Sequence, residues 1–259
     1  MEKLKTTGHA PVNGINMYYE IYGEGDLPLV LIHGGGSTIQ SSFGVLLPML
    51  CERGKVIGVE LQAHGRTTDR DAPETFEQDA DDVAALIRFL NVPKANVLGF
   101  SNGGSTAMQL AIRHPEIVNK IVVIAGAYQR EGFIPALFEG MPHATLSDMP
   151  KALQDAFLAV TPDQNRLQTM FEKDVDRMIH FKDWPEQKLR SINAPALFIC
   201  SDQDVVTPAH TLKMSQLVPG GRLIVLPGVH GAYIGAAEAP RDAMLPSITA
   251  GFIENFLAG

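Results

Sequence analysis

An alternation of short apolar runs with helix-period segments constrains this chain more than any other feature. Pro28 to Ile32 (PLVLI) is apolar throughout, as a strand covered by helices on both faces requires. Lys55 to Leu61 (KVIGVEL), Ala95 to Phe100 (ANVLGF), Lys120 to Ala125 (KIVVIA), Pro195 to Cys200 (PALFIC) and Arg222 to Leu226 (RLIVL) read as further strands. Asn16 to Tyr22 (NMYYEIY) is rich in strand formers and stops at Gly23-Glu24-Gly25, and Lys5 to Val12 is a weaker edge candidate. Between them lie helices. Leu46 to Leu50 reads as a short one. Thr75 opens a longer one with Gln78 placed for a capping box and Glu77, Asp79, Asp81 and Asp82 near the start. Its Val83, Leu86, Ile87 and Leu90 form one buried stripe. Small residues Gly104 to Ala107 open another helix through Met108, Leu110, Ala111 and Ile112, ending near His114-Pro115. Leu212 to Leu217 and a final segment through Leu245, Ile248, Phe252, Ile253, Phe256 and Leu257 complete the set. Such an order predicts an α/β fold with a mostly parallel sheet, its ligands at the carboxyl ends of the strands.

The rhythm breaks between Ala127 and Trp184. No strand signal occurs there, while Leu153, Ala156, Phe157 and Val160, then Leu167, Met170, Phe171, Val175 and Met178, keep helical spacing. Residues 128–185 are therefore expected to form a helical insertion over the strand ends, with 1–127 and 186–259 as the core. Most of its Met and Phe side chains should pack that insertion to the core, leaving a few for a pocket.

Composition narrows the partners. A net charge of −8 with no Lys/Arg cluster disfavours nucleic acid. No stretch approaches the roughly 20 apolar residues of a membrane span. The opening MEKLKTTGHA has no apolar stretch behind its basic residues, so no secretory signal is expected. Cys51 and Cys200 lie outside any CxxC and read as small buried hydrophobes, which suits a cytoplasmic location. No HExxH or clustered Asp/His set suggests a metal, GFSNGG is not GxGxxG, and no cofactor is expected.

The chemistry gathers at four strand ends. His33-Gly34-Gly35-Gly36 follows the third strand, and Gly99-Phe100-Ser101-Asn102-Gly103 follows the fifth. Ser201-Asp202-Gln203-Asp204 follows the seventh, and Pro227-Gly228-Val229-His230-Gly231 the last. A serine on a tight strand-to-helix turn needs small residues two positions either side. Its hydroxyl becomes a nucleophile only when a histidine takes its proton, and that histidine must be held by a carboxylate. The order Ser, Asp, His across an alternating chain is that of an α/β-hydrolase.

Over nearly its whole length the sequence resembles the α/β-hydrolase fold superfamily, in HGGG, GFSNG, SDQDVVTP and PGVHG. The resemblance implies an eight-stranded sheet flanked by helices with a helical cap. It matches Ser101 to the nucleophile and His230 to the general base. For the acid, Asp204 fits the family spacing with Pro208 four residues on, and Asp202 then reads as a turn or helix-cap carboxylate. The oxyanion hole is assigned to the N–H groups of Asn102 and Gly35, with Gly36 as the alternative. His33 is expected to brace the glycine loop. His64 lies in ELQAHGRT, where Glu60, Gln62 and Ala63 replace the family's usual Asp, Arg and Gly, and a structural role is expected for it.

The implied activity is acyl transfer to Ser101 from a small-molecule acyl substrate, by default a carboxylic ester, followed by hydrolysis. Lactonase, C–C bond hydrolase and cofactor-free perhydrolase chemistry use the same three residues. Serine at the elbow argues against dehalogenase and epoxide hydrolase chemistry, which need a carboxylate nucleophile. A non-catalytic ligand-binding protein is the contrasting class, and an intact set of three residues argues against it.

Overall fold

The computed structural model describes residues 4–259; residues 1–3, part of the stretch read for a leader, lie outside the described residues. Eight strands form one sheet: β1 (Leu4–Val12), β2 (Ile15–Tyr22), β3 (Leu29–Ile32), β4 (Val56–Val59), β5 (Ala95–Phe100), β6 (Val118–Ile124), β7 (Ala196–Gln203) and β8 (Arg222–Val229). Their order is β1-β2-β4-β3-β5-β6-β7-β8. β2 runs antiparallel to both β1 and β4, and every other neighbouring pair is parallel. The helices are α1 (Ile39–Phe43), α2 (Leu46–Cys51), α3 (Phe76–Phe89), α4 (Asn102–Arg113), α5 (Pro135–Gly140), α6 (Lys151–Val160), α7 (Gln164–Ile179), α8 (Glu186–Arg190), α9 (Pro208–Leu217) and α10 (Leu245–Ala258).

The unbroken apolar runs are explained by burial on both faces. Successive residues of a strand point to opposite sides. Val30 and Ile32 of β3 pack with Val97, Ile121 and Phe198 against α3 and α4. Leu29 and Leu31 pack with Leu98, Val122 and Ile199 against α1, α2 and α10. A third apolar cluster, built on Met149, Leu153, Phe157, Leu167 and Met170, sits in the β6–β7 segment with Ala63 from the core.

Several boundaries differ from those expected. The capping box of α3 is half built: Thr75 Oγ1 accepts from the Gln78 N–H at 3.0 Å, while the Gln78 amide turns to Asp82 at 2.9 Å. Asp79 and Asp82 are buried, paired with Arg177 and Arg70, so they do more than favour the helix start. α9 begins at Pro208, four residues before its apolar periodicity, with Thr207 as its cap. β8 continues past Leu226 to Val229 because its ladder with β7 resumes after a register shift, pairing Gln203 with Val229. That extension positions the site, since Asp204 and His230 become the residues immediately beyond two paired strand ends.

Candidate active site

Ser101 stands between β5 and α4 at φ 54°, ψ −119°, a conformation that a non-glycine residue adopts only under constraint. The constraints are visible. The Ser101 N–H donates to the Ile124 carbonyl at 2.8 Å, and its own carbonyl accepts from Gly104 at 2.8 Å as α4 begins. A Cβ on Gly99 would lie 1.9 Å from the Gly103 carbonyl oxygen, and one on Gly103 would lie 2.2 Å from that of Ile32. Both glycines of the pentapeptide are therefore required by backbone contact.

His230 and Asp204 meet across the ends of β8 and β7. His230 Nδ1 lies 2.5 Å from Asp204 Oδ1, and the imidazole stacks on Phe100, the residue before Ser101, with ring centroids 4.7 Å apart. Asp204 Oδ2 accepts from the Ser201 N–H, the Ser201 hydroxyl and Tyr233 Oη at 3.0, 3.1 and 2.8 Å, and Oδ1 accepts the Val205 N–H at 2.8 Å. Burial disfavours the Asp204 charge, yet His230 and these donors hold its carboxyl below the usual carboxylate range. Asp202 is exposed, and its Oδ1 accepts the Gly228 N–H at 2.8 Å, a turn role.

The glycine loop lies against the elbow. A Cβ on Gly34 would sit 3.2 Å from Cβ of Ser101, and one on Gly35 would sit 2.6 Å from the Asn102 side-chain nitrogen. Among the described residues, the N–H groups of Gly35 and Asn102 have no acceptor, and the Ser101 hydroxyl makes no hydrogen bond. Gly36 differs: its N–H donates to Asp174 Oδ2 at 2.6 Å. His33 lies beneath the loop, Nδ1 bonded to the Gly34 carbonyl at 2.8 Å and Nε2 accepting the Leu61 N–H at 3.0 Å. That pattern requires a neutral ring, and burial with neighbouring His64 lowers the His33 pKa to about 3.

Ser101, Asn102, Gly35 and His230 open onto one cavity of about 720 Å³. Phe133, Leu137, Met141, Met149, Leu153 and Met170 supply much of its apolar wall. Carboxylates also line it: Asp174 of α7, Glu238 from the loop after β8, and the exposed Asp148. Glu238 Oε2 is buried without a hydrogen-bond partner, and burial pushes its carboxyl above the usual range.

Asp174 is the residue the sequence reading missed. Its signal was present, because Met170, Asp174 and Met178 share one helical face, and an acid in an apolar stripe is rarely left unpaired. Its Oδ2 lies 2.9 Å from His64 Nε2, and its Oδ1 lies 3.4 Å from Asn102 Nδ2 and 3.2 Å from an Arg177 guanidinium nitrogen. His64 Nδ1 faces the Gln62 carbonyl at 2.8 Å. His64 Nδ1 thus meets an oxygen acceptor, and Nε2 meets both Asp174 Oδ2 and, at 3.3 Å, the Gly36 N–H; a charged ring donates from both nitrogens and leaves the Gly36 N–H to Asp174 Oδ2. Burial opposes that charge, but Asp174 and Glu74 outweigh it and raise the His64 pKa to about 9. Arg177, itself buried, completes the cluster with Glu74 and, at 2.7 Å, Asp79. The structural role expected of His64 is thereby given a partner.

Known proteins share this arrangement of the chain. Human serine hydrolase BPHL is 28% identical over 247 residues, covering 90% of this chain and 83% of that protein. The bifunctional esterase/perhydrolase DCH of Acinetobacter calcoaceticus is 25% identical over 268 residues, covering 91% and 97%. The enol-lactonase from Burkholderia xenovorans LB400 superimposes with a TM-score of 0.75 at 22% identity, over 97% of this chain and 100% of that one. Residues 28–160, which hold the glycine loop, the elbow and the first helices beyond β6, match the family model of the alpha/beta hydrolase fold. With the sheet order and the strand-end residues, that match makes the chain a member of the alpha/beta hydrolase family.

Proposed function

We propose that the protein is a serine hydrolase that cleaves a small carboxylic ester or related acyl substrate through an acyl-enzyme on Ser101. The observation that carries this reading is the Asp204–His230 pair, closed at 2.5 Å, whose His230 opens onto the same cavity as the strained Ser101. His230 Nε2 takes the Ser101 proton as Oγ attacks the substrate carbonyl, and Asp204 holds Nδ1–H and balances the imidazolium. The Gly35 and Asn102 N–H groups, free of protein acceptors, receive the negative charge that develops on the carbonyl oxygen. Collapse of the tetrahedral intermediate expels the alcohol, which leaves with the proton from His230. Water then attacks the acyl-enzyme with His230 again as base, releasing the acid and restoring Ser101. In this reading the Ser101–His230 hydrogen bond forms as substrate fills the site.

Residues 128–185 act in this reading as the cap that shapes the acyl pocket. The apolar wall and the cavity volume suit a small or medium acyl chain over a strongly polar one. Similarity to an esterase/perhydrolase and a serine hydrolase supports the reaction class without fixing the substrate. A fluorophosphonate probe tests the reading directly. Wild type should be labelled, with labelling abolished in Ser101→Ala; a folded wild type that resists the probe would overturn it. A panel of aryl esters of rising acyl length, run beside a lactone and a C–C bond substrate, should show the highest kcat/KM on an ester.

A further inference from the structure

We infer that Asp174 is a positioning residue for this reaction: a carboxylate brought by the cap helix α7 that braces both halves of the oxyanion hole. The inference rests on the serine-hydrolase reading and adds to it a dependence on the cap.

The geometry is specific to the two donor segments. Asp174 Oδ2 accepts the N–H of Gly36, the residue after Gly35, at 2.6 Å. Oδ1 reaches the side chain of Asn102, the residue after the nucleophile, at 3.4 Å. A Cβ on Gly35 would itself come within 3.3 Å of Oδ2, so the carboxylate lies directly over the loop. By occupying the Gly36 N–H it removes the alternative donor and leaves the Gly35 N–H to face substrate. Neither segment contacts the carboxylate by local sequence: the Gly36 bond spans 138 positions of the chain. α7 must be seated for it to form.

A carboxylate beside a developing oxyanion would oppose the reaction if its charge were bare. It is not bare. His64 from the loop after β4 and Arg177 from α7 both contact it. The charged and titratable groups around His64 are Asp174 and Arg177 on α7, Glu74 and Asp79 at the start of α3, and His33 under the glycine loop. His64 therefore neutralises Asp174 while it stays protonated, and Asp174 braces the loop at little electrostatic cost to the transition state.

The test is Asp174→Ala and Asp174→Asn beside wild type and Asp176→Asn, a control on the exposed side of α7. Rates are normalised to Ser101 sites titrated by the fluorophosphonate, and folding is followed by circular dichroism. Asp174→Ala should lower both kcat on p-nitrophenyl butyrate and the phosphonylation rate constant by about 10²-fold, with KM moved far less, as for loss of one oxyanion donor. Wild-type kcat should fall as pH rises through about 9, where His64 loses its proton, and Asp174→Asn should lose that limb. Rates per titrated site within threefold of wild type in folded Asp174→Ala would overturn the inference. If that variant does not fold, Asp174→Asn decides: a wild-type rate with the alkaline limb intact overturns it, and a slowed enzyme lacking the limb supports it. A wild type that neither labels nor turns over fails the serine-hydrolase reading itself, which is a separate result.

Discussion

At the scale of single residues, the acid position separates two carboxylates two places apart. Asp204 is buried and collects four protein donors besides the imidazole, whereas Asp202 is exposed and closes a turn. Asp204→Asn should therefore lower kcat on an aryl ester by roughly 10³–10⁴-fold, because the amide no longer fixes the His230 tautomer. Asp202→Asn should cost less than about threefold, as an amide oxygen still accepts from Gly228. Steady-state kinetics of the two variants decide it, and a larger loss in Asp202→Asn would move the acid. Asp204 was legible because its spacing from the strand end and from Pro208 lies within one short segment. Asp174 was not, because a pairing between α7 and the glycine loop has no local spacing to read; only the misplaced acid in an apolar stripe marked it. Glu238 carried no signal at all, since its burial depends on how the loop after β8 folds back.

At the scale of elements, the strands and the short helix α2 are legible in the sequence and α1 is not, for physical reasons. A strand buried on both faces announces itself as an apolar run, as β3, β5 and β6 do. α1 has five residues and too few turns to show a period. The acidic start of α3 does more than favour the helix N-terminus. Asp79, with Glu74 just before the helix, receives the Arg177 guanidinium from α7, so the two helices are joined by buried charge. Removing one member of such a cluster leaves the others uncompensated. Arg177→Met should destabilise the protein by about 3–5 kcal/mol, seen as a lower urea midpoint at unchanged m. A loss under about 1 kcal/mol would show that the cluster contributes little.

At the scale of the whole molecule, histidines buried in opposite protonation states set how stability follows pH. His210 is buried, stacked on Tyr128 at 4.8 Å with Nε2 facing the Tyr128 N–H, and burial with nearby Lys213 lowers its pKa to about 4. Below the ordinary value of about 6.5 the unfolded chain takes up a proton that folded His210 refuses, so its contribution is present above 6.5 and lost as pH falls. His33 acts in the same direction, and Glu74, pushed up mainly by burial, acts against them. His64 runs the other way: with a raised pKa, its stabilisation is full below 6.5 and lost as pH rises to about 9. His210→Gln isolates one of these contributions. The difference in thermal midpoint between variant and wild type should shift in the variant's favour as pH drops from 7 to 5, and a constant difference would refute it. The fold as a whole was legible because sheet burial is written in every strand; the shape of the pocket was not, because its walls come from a segment whose packing is decided in three dimensions. The contact of α7 with the glycine loop has a consequence for how such an enzyme can diversify. In the proposed reading, replacing residues 128–185 by the matching segment of another family member would exchange the acyl pocket, and it would also take away the carboxylate over Gly36. A chimera that keeps an acid at the place of Asp174 should retain turnover while its substrate range changes, so selectivity here can be inherited only together with a share of the rate.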